Sequence, residues 1–391
     1  MDVRVRGRGR PRGRGRGAQA RPREILVARR GRPRRREPVA STQLLTDYVD
    51  GQLASVLTAG SAFAIAALAG GGAVPLVGLA ACGLLLTGPK FTGVVYAVLL
   101  AAFAGAAAWR ASRPRATATA EAMAVAVAVG AGFVGWNPYV TNWRERGHPF
   151  YPLAGRGALD IVTGQAVPSF LARLRVERLA ISVFARSSNE RDEPPQLKVP
   201  FTVGPETALF VVPDVRIGGF GPLFSGALVL AVLATVLAAW RRPRTAPALG
   251  AVVAGALLAS ALVNPHAWWA RYAPQVWLVP VALAVGAAAA RARVPTVVAA
   301  LALTVLVADA GLVAVNAIHR GRGRSAAVTA QLRALSRSPE PVAVRFAGFE
   351  ALRHRFRVAG VRFVDADPLP CARPALIETT PATYCPPSPP R

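Results

Sequence analysis

The stretch Trp136-Asn137-Pro138-Tyr139-Val140-Thr141-Asn142-Trp143-Arg144-Glu145-Arg146-Gly147-His148-Pro149-Phe150-Tyr151-Pro152 begins where an apolar run, Ala122–Trp136, stops. These seventeen residues hold five aromatics, three prolines, two arginines and a histidine. Aromatic rings with a polar edge favour the boundary between lipid and water. Asn137-Pro138 blocks continuation of the helix, and His148-Pro149 and Tyr151-Pro152 stiffen the chain beyond it. The pattern recurs downstream. Asn264-Pro265-His266-Ala267-Trp268-Trp269-Ala270-Arg271-Tyr272 also comes after an apolar run and again joins Asn-Pro to Trp, Arg and Tyr. Both clusters are expected at one membrane face, and the function with them.

Of the 391 residues, 53% are hydrophobic and only 17% charged. Several apolar runs, each of roughly 15 to 22 residues, exclude a water-soluble globular chain and point to a polytopic helical membrane protein. The expected spans are Leu53–Leu68, Val74–Thr87, Thr92–Trp109, Ala122–Trp136, Phe220–Trp240, Ala246–Val263, Tyr272–Ala290 and Val294–Val315. The first two are short, and one long broken helix is the alternative reading for them. The fold class is therefore all-α, with about 8 transmembrane helices, a long outer loop and a small α/β C-terminal appendage. The chain divides into five regions: an Arg-rich segment 1–40, N-terminal transmembrane helices 41–136, an outer-face loop region 137–218, C-terminal transmembrane helices 219–316, and an extracytoplasmic tail 317–391.

The net charge of +27 is uneven, with fifteen arginines and three acids in residues 1–40. That segment has no apolar face and cannot fold alone. It reads as a disordered topogenic tail or a non-native start rather than a nucleic-acid or lipid-binding arm, so no specific nucleic-acid partner is expected. Arg110, Arg113 and Arg115, then Arg241, Arg242 and Arg244, then Arg291 and Arg293 mark three short cytoplasmic loops. A hairpin over 53–87 would put the Arg-rich start outside, against that rule. The expectation is that earlier helices are missing and the start is not native.

In the tail, Val342–Phe346 alternates like a strand, Phe349–Val358 suits a helix, and Val361–Val364 alternates again. Cys371 and Cys385 can pair in an oxidising compartment; two free thiols are the other reading. Cys82, in an apolar run, reads as packing. The four histidines are scattered and make no metal motif, and no cofactor motif is present. No metal and no cofactor are expected.

The candidate chemistry lies in arginines and carboxylates near the outer face. Arg144, Arg146, Arg216 and Arg271 suit a lipid phosphate through bidentate contacts, or act as interfacial anchors. Asn137, Asn142, Tyr151, Trp268, Trp269 and Tyr272 complete the substrate-binding candidates. Asp50, Asp160 and Asp214 are each placed to act as a general base, Asp214 best, and Asp309 joins Asp50 and Asp214 as a catalytic candidate. Each acid has an ordinary alternative: a cap or turn for Asp50, Asp160 and Asp214, and hydrogen-bonded packing for Asp309, which lies inside an apolar helix.

The strings Asn137–Trp143 and Gly147–Pro152 resemble the "NPYVTN...GNPFYPL" loop of a bacterial polytopic membrane family. Lys90–Gly93, Arg216–Phe224 and Trp268–Pro274 are similar to further strings in its members. These sequences resemble the GT-C superfamily of multi-helix glycosyltransferases. The resemblance runs from about residue 39 to the end, and it implies a polyprenyl-phosphate-linked sugar donor and transfer at the outer face of the bacterial inner membrane. An envelope glycan would be the acceptor, and membrane lipids the surroundings. Two departures stand out. His148 occupies the place of an Asn, and Thr46–Asp50 is all that corresponds to the family's acidic first outer loop. A transporter of a lipid-linked intermediate, or a non-catalytic membrane scaffold, are the competing readings.

Overall fold

The computed structural model describes residues 49–68, 72–160, 162–211, 214–241, 245–347 and 350–386. They belong to one compact unit, Arg35–Arg391. The Arg-rich segment, residues 41–48, Arg242 and Arg244 lie outside the described residues, as does Phe349, the expected start of the tail helix.

Among the described residues, eight apolar helices make up the body. Four come first: α1 (Asp50–Leu68), α2 (Ala73–Thr87), α3 (Phe91–Ala111) and α4 (Arg113–Val129). A long connection then carries the short helices α5 (Thr141–Arg146), α6 (Pro168–Leu171) and α7 (Arg175–Phe184). The later four are α8 (Phe224–Arg241), α9 (Thr245–Val263), α10 (Val279–Ala288) and α11 (Arg293–Leu335). Five are long and apolar enough to cross a membrane: α1, α3, α4 with its extension to Val134, α9 and α11. The helices at 73–87, 224–240 and 274–288 are apolar but shorter. Outward side chains such as Ile65, Val77, Phe103, Val125, Leu249 and Leu301 are exposed. Such a surface suits lipid.

Small residues bring the helices close. A Cβ on Gly250 of α9 would lie 2.9 Å from the Gly286 Cα of α10. Backbones in such contact gain dispersion over a long seam without large side chains. Neighbours run in opposite directions. Leu53 clusters with Leu86, Gly60 faces Cys82, and Gly78 faces Phe63, so 53–87 is a hairpin of two helices, not one broken helix. Ser260 and Gln275 bond near the other end of α9 from Gly250, which reverses α10 likewise.

Helix ends differ from the hydropathy limits where local chemistry overrides it. α4 starts at Arg113, well before its apolar run, because Pro114 suits a first turn and Ala and Thr continue it. Its far end widens into π-type turns, Gly130–Val134 and Trp136–Val140, around the non-helical Asn137. The expected helix from Tyr272 begins as 3-10 turns, Ala270–Tyr272 and Pro274–Leu278, and becomes α-helical only at Val279. Asn316, just past the expected end of the last span, lies inside α11. At 43 residues that helix is about 65 Å long at 1.5 Å per residue, twice the hydrocarbon thickness.

The tail is built on the end of α11. Val328, Leu332 and Leu335 pack under a four-stranded sheet ordered β2-β1-β4-β3. Here β1 is Val342–Arg345, β2 Phe363–Asp365, β3 Ala375–Leu376 and β4 Thr383–Tyr384, with α12 (Glu350–Val358) between β1 and its parallel partner β2. Phe346, Phe356 and Phe363 meet edge to face. Cys371 and Cys385 are joined in a disulfide.

The body has two helix groups, α1–α4 and α8–α11. They touch where α1 meets the 3-10 turns at 270–278 and where α3 meets α9. The site lies at this seam.

Candidate functional site

Tyr272 stands at the seam. Asn264 ends α9 with a turn of its own, its Oδ1 accepting the His266 N–H at 2.9 Å. Trp268 and Trp269 then stack with centroids 5.4 Å apart, both buried, and Phe170 meets Trp268 edge-on. This aromatic stack sets the 3-10 turn that carries Arg271 and Tyr272. From the other helix group the Tyr96 hydroxyl of α3 donates to the Tyr272 carbonyl.

Two cations approach the Tyr272 ring. Lys90 Nζ lies 4.0 Å from its centroid and the Arg271 guanidinium 4.7 Å away. Arg271 also covers Trp269 at 4.4 Å, and its Nη2 donates to the Tyr272 hydroxyl at 2.8 Å. Each cation has a carboxylate. Lys90 Nζ is 2.6 Å from Asp50 Oδ1, and Arg271 Nη1 is 3.3 Å from Asp214 Oδ1. All four charged side chains are at most 20% exposed. Ion pairs so little hydrated interact more strongly than surface pairs.

Burial raises the Asp214 carboxyl above the ordinary carboxylate range, while Arg271, the Trp269 indole and Arg216 pull it back. Burial lowers the Lys90 ammonium, opposed by Asp50. His266 is lowered by burial and by Arg178. The site thus holds a carboxylate suited to taking a proton beside cations suited to an anion.

Beside the cluster opens a cavity of about 570 Å³, lined by Lys90, Tyr96, Asp160, Asn264, His266 and Tyr272 among apolar neighbours such as Leu159 and Val263. Asp160 Oδ1 caps the turn at Val162, at 2.9 Å. Thr92 and Val95, from the first turns of α3, form part of the wall.

Asp50, Asp214, Arg271, Trp269 and Tyr272 therefore come together, with Trp268 as their support. Arg216 is adjacent, 5.9 Å from the Trp269 ring, but its Nε donates to Gln165 at 3.1 Å and Nη1 to the Asn189 carbonyl at 2.5 Å, which ties the connection together. Asn142, Arg146 and Tyr151 form a separate group, in the same stretch as Asn137 and Arg144. Asn142 Nδ2 donates to the Tyr151 carbonyl at 2.7 Å and Arg146 covers the Tyr151 ring at 5.3 Å. Among the described residues none of those five lines the cavity. Of the sequence candidates Tyr272 and Asp160 do, while Asp50 and Arg271 adjoin it through their contacts with Lys90 and Tyr272, and Asp214 through Arg271. Asp309 is fully buried in α11, and its Oδ1 accepts the Leu223 N–H at 2.7 Å. The glycine at 221, with φ +121°, lets the chain pass against that carboxylate. These contacts fit the packing alternative for Asp309.

Sequence reasoning misses Lys90, Tyr96, Asn264 and His266 as site residues. A signal for Lys90 was present. The chain has 47 basic residues, of which only Lys90 and Lys198 are lysines. In a chain so biased to arginine the two lysines stand out, and both are paired with acids. Comparison with protein-family models, with curated proteins and with solved structures finds no match to this chain.

Proposed function

We propose that the chain is an integral membrane glycosyltransferase-like protein of the bacterial inner membrane, taking sugar from a polyprenyl-phosphate carrier for envelope glycan assembly. In this reading all eight apolar helices cross, the basic loops at Arg110–Arg115, Arg241 and Arg291–Arg293 are cytoplasmic, and the long connection and the tail are outside. The Cys371–Cys385 disulfide supports an oxidising compartment for the tail. The observation that carries the reading is the meeting of Asp214–Arg271 and Asp50–Lys90 around Tyr272, beside a cavity between two helix groups.

The chemistry is direct displacement. The acceptor hydroxyl oxygen attacks the anomeric carbon as the bond from that carbon to the carrier phosphate oxygen breaks. Asp214 accepts the hydroxyl proton, and the phosphate leaves with the bonding pair. Arg271 and Lys90 stabilise the charge gathering on it. Asp50 holds Lys90 and is the second candidate base.

The test is envelope glycan made by cells carrying Asp214→Asn or Arg271→Gln at wild-type protein levels. Loss of glycan in both, on the order of a hundredfold in transfer rate, is expected for a lost base or anion clamp. Unchanged glycan in both variants overturns the enzyme reading in favour of a scaffold. Intact transfer with stalled carrier movement would favour a transporter.

A further inference from the structure

Residues 197–203, in the connection between α7 and α8, have their polarity reversed. Leu197, Val199, Phe201 and Val203 alternate along the chain and are 65, 71, 47 and 50% exposed. Between the first two stands Lys198, whose side chain is only 3% exposed. Its ammonium donates to the Pro222 carbonyl at 2.6 Å and lies 3.8 Å from Glu206 Oε1. In water a period-two segment puts its apolar set inward and its charge outward. Here the charge is inside and the apolar row outside, with Thr202 exposed at the turn but bonding its hydroxyl back to the Val199 carbonyl, the order expected when the outer medium is hydrocarbon.

The backbone adds a second observation. Phe201 sits at φ +70° at the tip of a turn in which the Thr202 N–H returns to the Val199 carbonyl. That conformation favours glycine, and a bulky side chain there costs about 1 kcal/mol or more. A strained aromatic tip needs an offsetting contact. One side of the ring covers Gly226, where an added Cβ would run into it. Gly226 belongs to the first turn of α8, so the tip reaches alongside an apolar helix rather than standing above it. The helix that the ring covers carries further outward apolar side chains, Val229, Val232, Leu233 and Val236. Behind it, the 3-10 turn Pro205–Val211 is fastened to α11, with Asn316 Nδ2 donating to the Thr207 carbonyl.

We infer that residues 197–203 dip into the bilayer, with Leu197, Val199, Phe201 and Val203 against lipid acyl chains and Lys198 sealed behind them. The segment anchors the connection at the membrane surface, and with it the chain that carries Asp214 back to α8. The inference needs the membrane but not the sugar chemistry, so it stands or falls apart from the proposed reaction.

The test uses the full chain in phosphatidylcholine proteoliposomes, with an environment-sensitive dye on single cysteines in a Cys82→Ala background. Dye on Val199→Cys, Phe201→Cys and Val203→Cys should be quenched by doxyl-labelled phospholipid and spared by iodide. Dye on Asp192→Cys, in the exposed turn before the segment, should show the reverse. Iodide quenching at 199, 201 and 203 equal to that at 192 overturns the inference. The unsubstituted chain supplies a second readout. A phospholipid carrying a diazirine in its acyl chain should label the tryptic peptide from 199 to 216, and absence of label there, with label on α8, overturns it as well.

Discussion

Arg271 Nη1 lies 3.3 Å from Asp214 Oδ1, although the two residues belong to different loops and are separated in the chain by all of α8 and α9. Burial raises the Asp214 carboxyl and Arg271 opposes that rise. In the proposed reaction Asp214 is the base and acts when ionised. Sugar transfer should therefore have an acidic limb above the ordinary Asp range. Arg271→Gln removes the opposing charge and should move that limb to higher pH, read from rate–pH profiles of residual transfer. The linkage to stability has a definite sign. A carboxyl whose folded pKa is raised contributes most below its unfolded pKa, and that contribution is lost as pH rises through the folded value. Asp214→Asn should flatten this part of the melting temperature–pH curve.

Asp50 and Lys90 tie the start of α1 to the start of α3. Lys90→Met leaves a 5% exposed carboxylate without its cation. The expected loss is about 2 kcal/mol, less than for a fully buried pair because Lys90 keeps some contact with solvent. Adding Asp50→Asn should restore part of it. Melting of the two single variants and the double variant in detergent gives the coupling directly.

Asp309 distinguishes a packing role from chemistry by its conservative variant. Asn at this position keeps an oxygen for the Leu223 N–H, so Asp309→Asn should retain transfer activity. Asp309→Leu strands that N–H and should destabilise by about 1–3 kcal/mol. A large fall in transfer for Asp309→Asn with unchanged melting would make the carboxylate functional instead.

Gly250 and Gly286 bring α9 and α10 into backbone contact. Gly250→Ala puts a methyl into the Ala282 carbonyl and the Gly286 Cα, at 2.8 and 2.9 Å. Overpacking of this kind should cost about 1–3 kcal/mol, seen as a lower melting temperature in detergent.

The disulfide closes a separation of 14 residues. Cys371→Ser should destabilise the tail by about 3 kcal/mol on the chain-entropy account. Limited proteolysis should then cut within 371–385 while α1–α10 remain protected.

Much of the architecture was legible because burying apolar side chains in lipid is a property of composition over some twenty positions, independent of partners. All eight apolar runs became helices, and the strand–helix–strand order of the tail was readable from alternation. Ends were less legible. Pro114 started α4 early, Pro274 and Pro280 delayed α10, and Asn316 did not stop α11, whose polar continuation is helical because Val328, Leu332 and Leu335 pack against the sheet.

The aromatic cluster at 264–272, the membrane-type helices and the acidic and basic candidates come from sequence alone, since residue type and spacing decide them. Which candidates meet was decided only by the tertiary structure. Asp50, Lys90, Asp214 and Arg271 come from four separate segments, and they converge because α1 and α3 of one helix group abut the 3-10 turns and α9 of the other. The second cluster, at 136–152, looked equally suited but makes its contacts elsewhere, Asn142 with the Tyr151 carbonyl and Tyr139 with that of Thr87. Spacing along a chain fixes a residue's chemistry and the face it takes on its own helix; packing between helices sets its distance from a residue two hundred positions away.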